Sequence, residues 1–148
     1  MQAQGLDGFV VPRADAHQGE YVAARDARLA WLTGFTGSAG FCVALRAVAG
    51  VFIDGRYRTQ VKAQVAREFT PVHWPEVSMA QWLRAQLPQG GRVGFDPWLH
   101  TVEQISRTVA ALTGSGIELV QCDNLVDAIW HDQPAAPMEP AKAHPLEF

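Results

Sequence analysis

Residues 40–54 read GFCVALRAVAGVFID and consist of two apolar runs joined by a short connection. Both runs are rich in β-branched and aromatic residues, which is typical of β-strands. The connection around Arg46 is too short to cross over a sheet, so the two strands must pair antiparallel. The sequence therefore predicts a sheet with at least one antiparallel pair.

Four further runs of this kind are closed by Gly, Pro or Asp and indicate four more strands. They are GFVVP (8–12), TPVHW (70–74), RVGFD (92–96) and IELV (117–120). Helix-like stretches lie between and after the strands, at 56–67, 78–87, 101–112 and 125–130. Because strands and helices alternate, the predicted fold class is α/β, with a mixed six-stranded sheet flanked by helices on both faces.

Two of the predicted helices carry start signals. Ser78 with Gln81, and Thr101 with Gln104, fit the capping box, in which each side chain bonds the other residue's backbone N–H. Pro88 is expected to stop the first of these helices.

The composition is that of a folded domain, with 148 residues, 48% hydrophobic and 18% charged, and a formal net charge of -3. This charge gives no general reason to expect a nucleic acid or an anionic membrane as partner, because either normally needs a basic stripe. No apolar run approaches the roughly 20 residues of a membrane helix. Cys42 and Cys122 lie far apart in apolar stretches, so we expect reduced, buried thiols and a cytoplasmic protein.

The composition changes at Asp132, after which residues 133–140 read QPAAPMEP. Such a segment is stiff and extended and cannot form a core. We therefore divide the chain into a domain at 1–131 and a Pro-rich linker at 132–148. The linker leads us to expect the front domain of a longer protein.

The segment Gly34–Gly40 is dense in glycine but fits no phosphate-binding or nucleophile motif. Its glycines are spaced by three and no Lys follows, unlike either phosphate-binding loop. Ser38 is not in a G-x-S-x-G elbow, because position 36 is Thr and a strand follows where the elbow has a helix. We expect these glycines to serve a tight turn.

The five histidines show no metal-ligating spacing, so we predict no metal site within this chain. His17 with Asp15 is the one polar cluster dense enough for acid–base chemistry. The same residues could equally belong to a loop ordered by its own hydrogen bonds.

The tetrapeptide Asp54-Gly55-Arg56-Tyr57 stands where a strand gives way to a helix. Asp54 can cap that helix. A carboxylate that caps a helix has limited capacity left, so we expect Arg56 to reach a carboxylate or carbonyl on another segment or subunit.

Taken together, several motifs resemble the N-terminal, creatinase-like domain of three-domain Xaa-Pro aminopeptidases, also called aminopeptidase P. They are PRADAHQGEY (12–21), WLTGFTGSAG (31–40), DGRY (54–57), VGFDP (93–97) and NLVDAIW (124–130). The resemblance covers nearly the whole chain.

The resemblance implies a metallopeptidase that removes an N-terminal residue preceding proline, with two divalent metal ions, manganese in most members, on a C-terminal domain absent from this chain. It implies no catalytic residue and no cofactor here. The domain's partners would be its own C-terminal domains, a second subunit in a homodimer, and a peptide with proline in second position. The candidates for interface or substrate-entrance contacts are His17, Phe35, Ser38, Arg56 and Tyr57.

Two alternatives stay open. One is a free-standing small α/β binding domain without peptidase activity, which the trailing Pro-rich connector disfavours. The other is the same domain of a prolidase or creatinase relative, whose motifs match less well.

Overall fold

A computed structural model describes residues 1–140, 142–143 and 147 of the chain. The six predicted strands are present and form a single sheet. The strands are β1 (Gly8–Pro12), β2 (Phe41–Leu45), β3 (Ala49–Ile53), β4 (Phe69–His73), β5 (Gly91–Phe95) and β6 (Ile117–Gln121). Within the predicted linker, residues 133–140 form neither helix nor strand, and positions 141, 144–146 and 148 lie outside the described residues.

The sheet is mixed, as predicted, and its strand order is β4-β3-β2-β1-β5-β6. The hairpin partners β2 and β3 run antiparallel, and β2 is also antiparallel to β1. The pairs β1 with β5, β3 with β4, and β5 with β6 are parallel. Only β2 is therefore reversed, and the carboxyl ends of the other five strands share one edge of the sheet, here called the carboxyl edge.

Four α-helices flank this sheet, namely α1 (Arg28–Thr33), α2 (Arg58–Gln64), α3 (Met79–Gln86) and α4 (Val102–Leu112). Both predicted capping boxes are confirmed at the starts of α3 and α4. The periodicity did not predict α1, because that helix has six residues and begins after Ala27, which has no capping side chain.

Two predicted helices differ from the structure. The stretch 56–67 begins with a 3-10 turn at Gly55–Tyr57, and α2 ends where Val65 adopts an extended backbone. In the predicted helix 125–130, residues 125–129 form consecutive turns in place of a helix. In that segment Ala128 and Trp130 donate to carbonyls four residues back, but Ile129 donates to Val126, three residues back, so the helical bonds are not consecutive.

Helices cover both faces of the sheet, and each face has its own core. On one face α3 and α4 contribute Trp82, Leu83 and Leu112 to the first cluster, against Phe52 of β3. On the other face α1 and α2 contribute Leu29 and Val61 to the second cluster. This confirms the predicted layer arrangement.

The two cysteines are free thiols. Cys42 is fully buried in the second cluster, and burial raises its pKa to about 12. Cys122 is half-buried, and its pKa is also raised, mainly by burial. Both therefore stay protonated near neutral pH, in keeping with the predicted role as small apolar side chains. Among the described residues no helix is both long and apolar enough to cross a membrane.

We predict that Gly94→Ala destabilises the domain by about 1–3 kcal/mol, the usual cost of overpacking a core. A Cβ at position 94 in β5 would lie 2.7 Å from Leu6 Cδ1 and 2.9 Å from Cys122 Sγ. The matched control is Gly55→Ala, whose Cβ meets nothing within 4 Å. Urea unfolding of the three proteins measures both changes, and equal stability of the two variants would contradict the prediction.

Candidate functional site at the carboxyl edge

The carboxyl edge gathers the motifs that the sequence analysis singled out. The loop after β1 contains His17, the loop before β2 contains Phe35 and Ser38, and the turn after β3 contains Arg56 and Tyr57. Because β2 is reversed, its amino end lies beside the carboxyl ends of its neighbours β1 and β3. Strand polarity therefore brings these three loops to one edge.

Asp54 and Arg56 form a closed local pair. The Asp54 carboxylate accepts the backbone N–H of Arg56 at 2.9 Å and Arg56 Nη2 at 2.7 Å, and Arg56 Nε at 3.1 Å. The guanidinium hydrogen bond lowers the pKa of Asp54 more than any other contact does. Arg56 was expected to reach a carboxylate or carbonyl on another segment or subunit. Within this chain its guanidinium pairs with Asp54 instead, because a carboxylate has about four acceptor positions and can both cap a turn and hold a fork. A contact with another subunit stays a prediction.

Tyr57 links this turn to the glycine-rich loop. Its hydroxyl accepts the N–H of Ser38 at 3.1 Å and lies 2.5 Å from Ser38 Oγ. These bonds lower the pKa of Tyr57, with the Ser38 side chain contributing most. The Arg56 guanidinium carbon lies 5.2 Å from the centre of the Tyr57 ring, and the buried Phe35 ring meets that ring edge to face.

The glycine-rich loop is fixed from two sides. Gly37 lies so close over Phe35 that a Cβ at position 37 would be 2.2 Å from the ring. On the other side, Gln64 of α2 accepts the Thr36 N–H at 3.0 Å and donates to the Thr36 hydroxyl at 2.8 Å. These contacts fix the conformation of the glycine-rich loop, as expected of a tight connection. Ser38 is a hydrogen-bonding partner of Tyr57.

The loop around His17 is ordered by its own hydrogen bonds. Asp15 Oδ1 accepts the N–H of His17 at 2.9 Å and that of Gly19 at 3.0 Å, and these bonds, Gly19 above all, lower the pKa of Asp15. The His17 side chain is exposed. Of the two readings left open, the structure favours the self-ordered loop. It brings Phe35, Ser38, Arg56 and Tyr57 together but shows no hydrogen bond from His17 to them within the described chain.

A cleft of about 650 Å³ opens at the same edge, on the face covered by α3 and α4. Ser38 and the motif residues Arg13 and Gln18 line this cleft, but the sequence did not predict the cleft itself, because its other walls come from separate segments. The polar ones include Arg13, Gln18, His100, Gln104 and Arg107, and the apolar ones include Phe41, Trp74, Met79, Leu99 and Ile105. Burial lowers the pKa of His100, against the opposing charge of Asp96.

The segment after β6 is tied to α1 by a second ion pair that sequence reasoning missed. Arg28 is 5% exposed and holds Asp127 through two bonds of 2.6 and 2.9 Å, and Asp26 through one of 2.9 Å. Trp31 stacks on Trp130 with ring centres 5.2 Å apart. Asp127 lies 99 residues from Arg28, so local sequence pattern could not have paired them.

The described residues do not fit a dinuclear metal centre. No group of three or more His, Cys, Asp or Glu side chains comes together among them. The acidic side chains of the edge, such as Asp15 and Asp54, are engaged by N–H donors of their own loops.

Comparison with known proteins identifies the family. The Creatinase/Prolidase N-terminal domain family matches residues 1–129, and the chain belongs to it. Xaa-Pro aminopeptidase 2 of Homo sapiens is 40% identical over 97% of this chain and 22% of its own length. Aminopeptidase P1 of Arabidopsis thaliana is 36% identical over the same shares of the two chains. The chain thus spans about a fifth of the length of these relatives.

Solved structures agree on the fold. An X-prolyl aminopeptidase from Caenorhabditis elegans, described as a cytosolic enzyme with a di-nuclear active site, superposes with a TM-score of 0.82 at 34% identity, covering 88% of this chain and 22% of that one. The N-terminal domain of the cytoplasmic peptidase PepQ from Mycobacterium tuberculosis superposes with a TM-score of 0.66 at 26% identity, covering 86% of this chain and 90% of that one. The creatinase/prolidase-like fold expected from the sequence is confirmed.

We predict that the pKa of Tyr57 lies below that of an ordinary tyrosine, and that Ser38→Ala raises it. The two Ser38 bonds favour the phenolate, and the substitution removes the hydroxyl that contributes most. Tyr21 and Tyr57 are the only tyrosines, so a Tyr21→Phe background isolates the Tyr57 signal in an ultraviolet titration. Ser115→Ala, whose hydroxyl bonds elsewhere, is the control. An unchanged midpoint in Ser38→Ala would show that the Ser38–Tyr57 bond is not formed in solution.

Proposed function

We propose that the chain is the non-catalytic N-terminal domain of a cytoplasmic, metal-dependent Xaa-Pro aminopeptidase. The observation that carries the proposal is the 40% identity with human Xaa-Pro aminopeptidase 2 across 97% of the chain. In this proposal residues 1–131 form the domain and 132–148 the linker. Two metal ions, manganese as the preferred metal, belong to a later domain, and no step of the chemistry is assigned to this chain.

Within such an enzyme, the braced carboxyl edge would serve subunit contacts and shape the substrate entrance. Asp54, Arg56, Tyr57 and Ser38 hold one another through hydrogen bonds, so this part of the edge presents a preorganised surface. Large apolar side chains are exposed in the loops around it, with Trp98 75% and Trp74 46% exposed. Exposed aromatic residues are enriched at protein interfaces. The partner would be a second subunit, and the substrate a peptide with proline in second position.

A free-standing binding domain is the second candidate, and one observation favours it. The cleft beside α4 is large enough for a small ligand and needs no second domain to complete its described walls. Peptidase activity of the complete polypeptide separates the two candidates.

We predict that the complete polypeptide, loaded with manganese, releases the first residue of an Xaa-Pro-Xaa tripeptide, and that the 148-residue chain releases none. The described residues offer no ligand set for a metal, and in this proposal the water-activating metal ions belong to a later domain. The matched substrate is Xaa-Ala-Xaa, and chelation of the metal is the second control. Turnover by the purified 148-residue chain that survives both controls would refute the assignment, as would a complete polypeptide that cleaves neither peptide.

A further prediction concerns Arg56→Lys. The Arg56 side chain is 65% exposed, and Asp54 engages its Nε and Nη2, so Nη1 keeps its donors free of hydrogen bonds among the described residues. Lys keeps the charge but cannot form the fork. We expect the melting temperature of the 148-residue chain to change by less than about 2 °C, because exposed ion pairs contribute little. In the complete protein we expect weaker dimerisation or a lower kcat/KM.

The control for this variant is Arg67→Lys, since Arg67 is 93% exposed and pairs only with its neighbour Glu68. It should leave stability, assembly and turnover unchanged. A melting drop in Arg56→Lys that accounts for the whole loss of activity would show that Arg56 only stabilises its own loop.

A further inference from the structure

The cleft beside α4 lies where the order of the strands reverses. Strand β1 has β2, the next strand along the chain, on one side and β5, which comes much later in the chain, on the other. Open sheets bind ligands in the crevice outside the carboxyl ends of the strands at such a switch point. Val10 and Pro12 of β1 line the cleft, together with residues of α3 and α4. Its place in the fold is therefore that of a ligand site.

The charged lining of the cleft is cationic. Arg13 and Arg107 line it, and no Asp or Glu of the described residues does, although the chain as a whole has a net charge of -3. Arg13 Nη2 donates a hydrogen bond to the carbonyl of Glu20 at 3.0 Å, and Arg107 Nη2 donates one to the carboxylate of Glu103 at 2.6 Å. A guanidinium has five N–H donors, so each retains donors for an anion.

The rest of the lining is largely apolar. Phe41, Trp74 and Ile105 supply aromatic and aliphatic surface. His100 also lines the cleft, and its Nε2 is buried without a hydrogen-bond partner among the described residues. A bare inorganic anion would leave this apolar wall uncovered, whereas a ligand with an apolar body would bury it.

We propose that the cleft binds a small organic anion, with an apolar body of about the size of one aromatic ring that carries a single carboxylate or phosphate. The anionic group lies between Arg13 and Arg107, and the body lies against Trp74 and Phe41. A volume of about 650 Å³ is within the range of small-molecule sites. This inference does not depend on the proposed peptidase role.

Titration of the 148-residue chain by ¹H–¹⁵N NMR tests the proposal. The probes are 3-phenylpropanoate, phenyl phosphate and the uncharged 3-phenylpropanamide. We expect saturable shifts at the cleft for at least one anion, and at least tenfold weaker binding of the amide, because the amide lacks the charge. Tighter binding of either anion identifies the preferred headgroup. Equal binding of the amide, or no saturable binding of either anion, overturns the proposal.

Substitutions of opposite expected sign sharpen the test. Arg13→Gln and Arg107→Gln should each weaken anion binding at least fivefold. Glu103→Gln should strengthen it about twofold or more, because it removes the carboxylate that competes for Arg107. Arg67→Gln, on an exposed side chain that does not line the cleft, should change nothing. Thermal melts confirm that each variant is folded, and an equal loss in Arg67→Gln would show non-specific charge binding and overturn the proposal.

Discussion

The antiparallel hydrogen bonds on both sides of β2 are the constraint from which the rest of the architecture follows. The parallel pairs β1–β5 and β3–β4 need long crossover connections. The β2–β3 hairpin instead closes locally, through a hydrogen bond from the N–H of Leu45 to the carbonyl of Val48. With β2 reversed between β1 and β3, the other five strands all end at one edge. The loops that follow β1 and β3 and the loop that precedes β2 lie at this edge for that reason.

The contacts that stabilise the loops at the edge fall into two types, which differ in the sequence separation of the residues they join. Asp54 holds Arg56 two residues away, and Asp15 holds the N–H groups of its own loop, so these contacts form as soon as the local backbone is placed. The contacts of Ser38 with Tyr57, and of Arg28 with Asp127, join segments that meet only once the sheet has assembled. The local contacts shape single loops, and the long-range contacts fix the loops relative to one another.

This difference explains how much the sequence could predict. All six strands and both capping boxes follow from patterns within about ten residues, and the structure agrees with them. The family motifs also brought Phe35, Ser38, Arg56 and Tyr57 forward as one group. The Arg28–Asp127 pair and the cleft between Arg13 and Arg107 have no local signature, because their members are 99 and 94 residues apart in the chain. The partner of Arg56 within the chain was mispredicted for a different reason, since the capacity of the nearby Asp54 carboxylate was underestimated.

The carboxyl edge carries two depressions whose charged side chains have opposite sign. On the face of α3 and α4, the cleft is lined by Arg13 and Arg107. Beside the end of β6, a second depression is lined by Asp96, Asp123 and Asp127, of which Asp127 is compensated by Arg28. Opposite charges at two ends of one edge attract different groups, and interfaces are specified by such complementarity more than by area. An anionic group in the cleft and a cationic group at the second depression would therefore use different residues of the same edge.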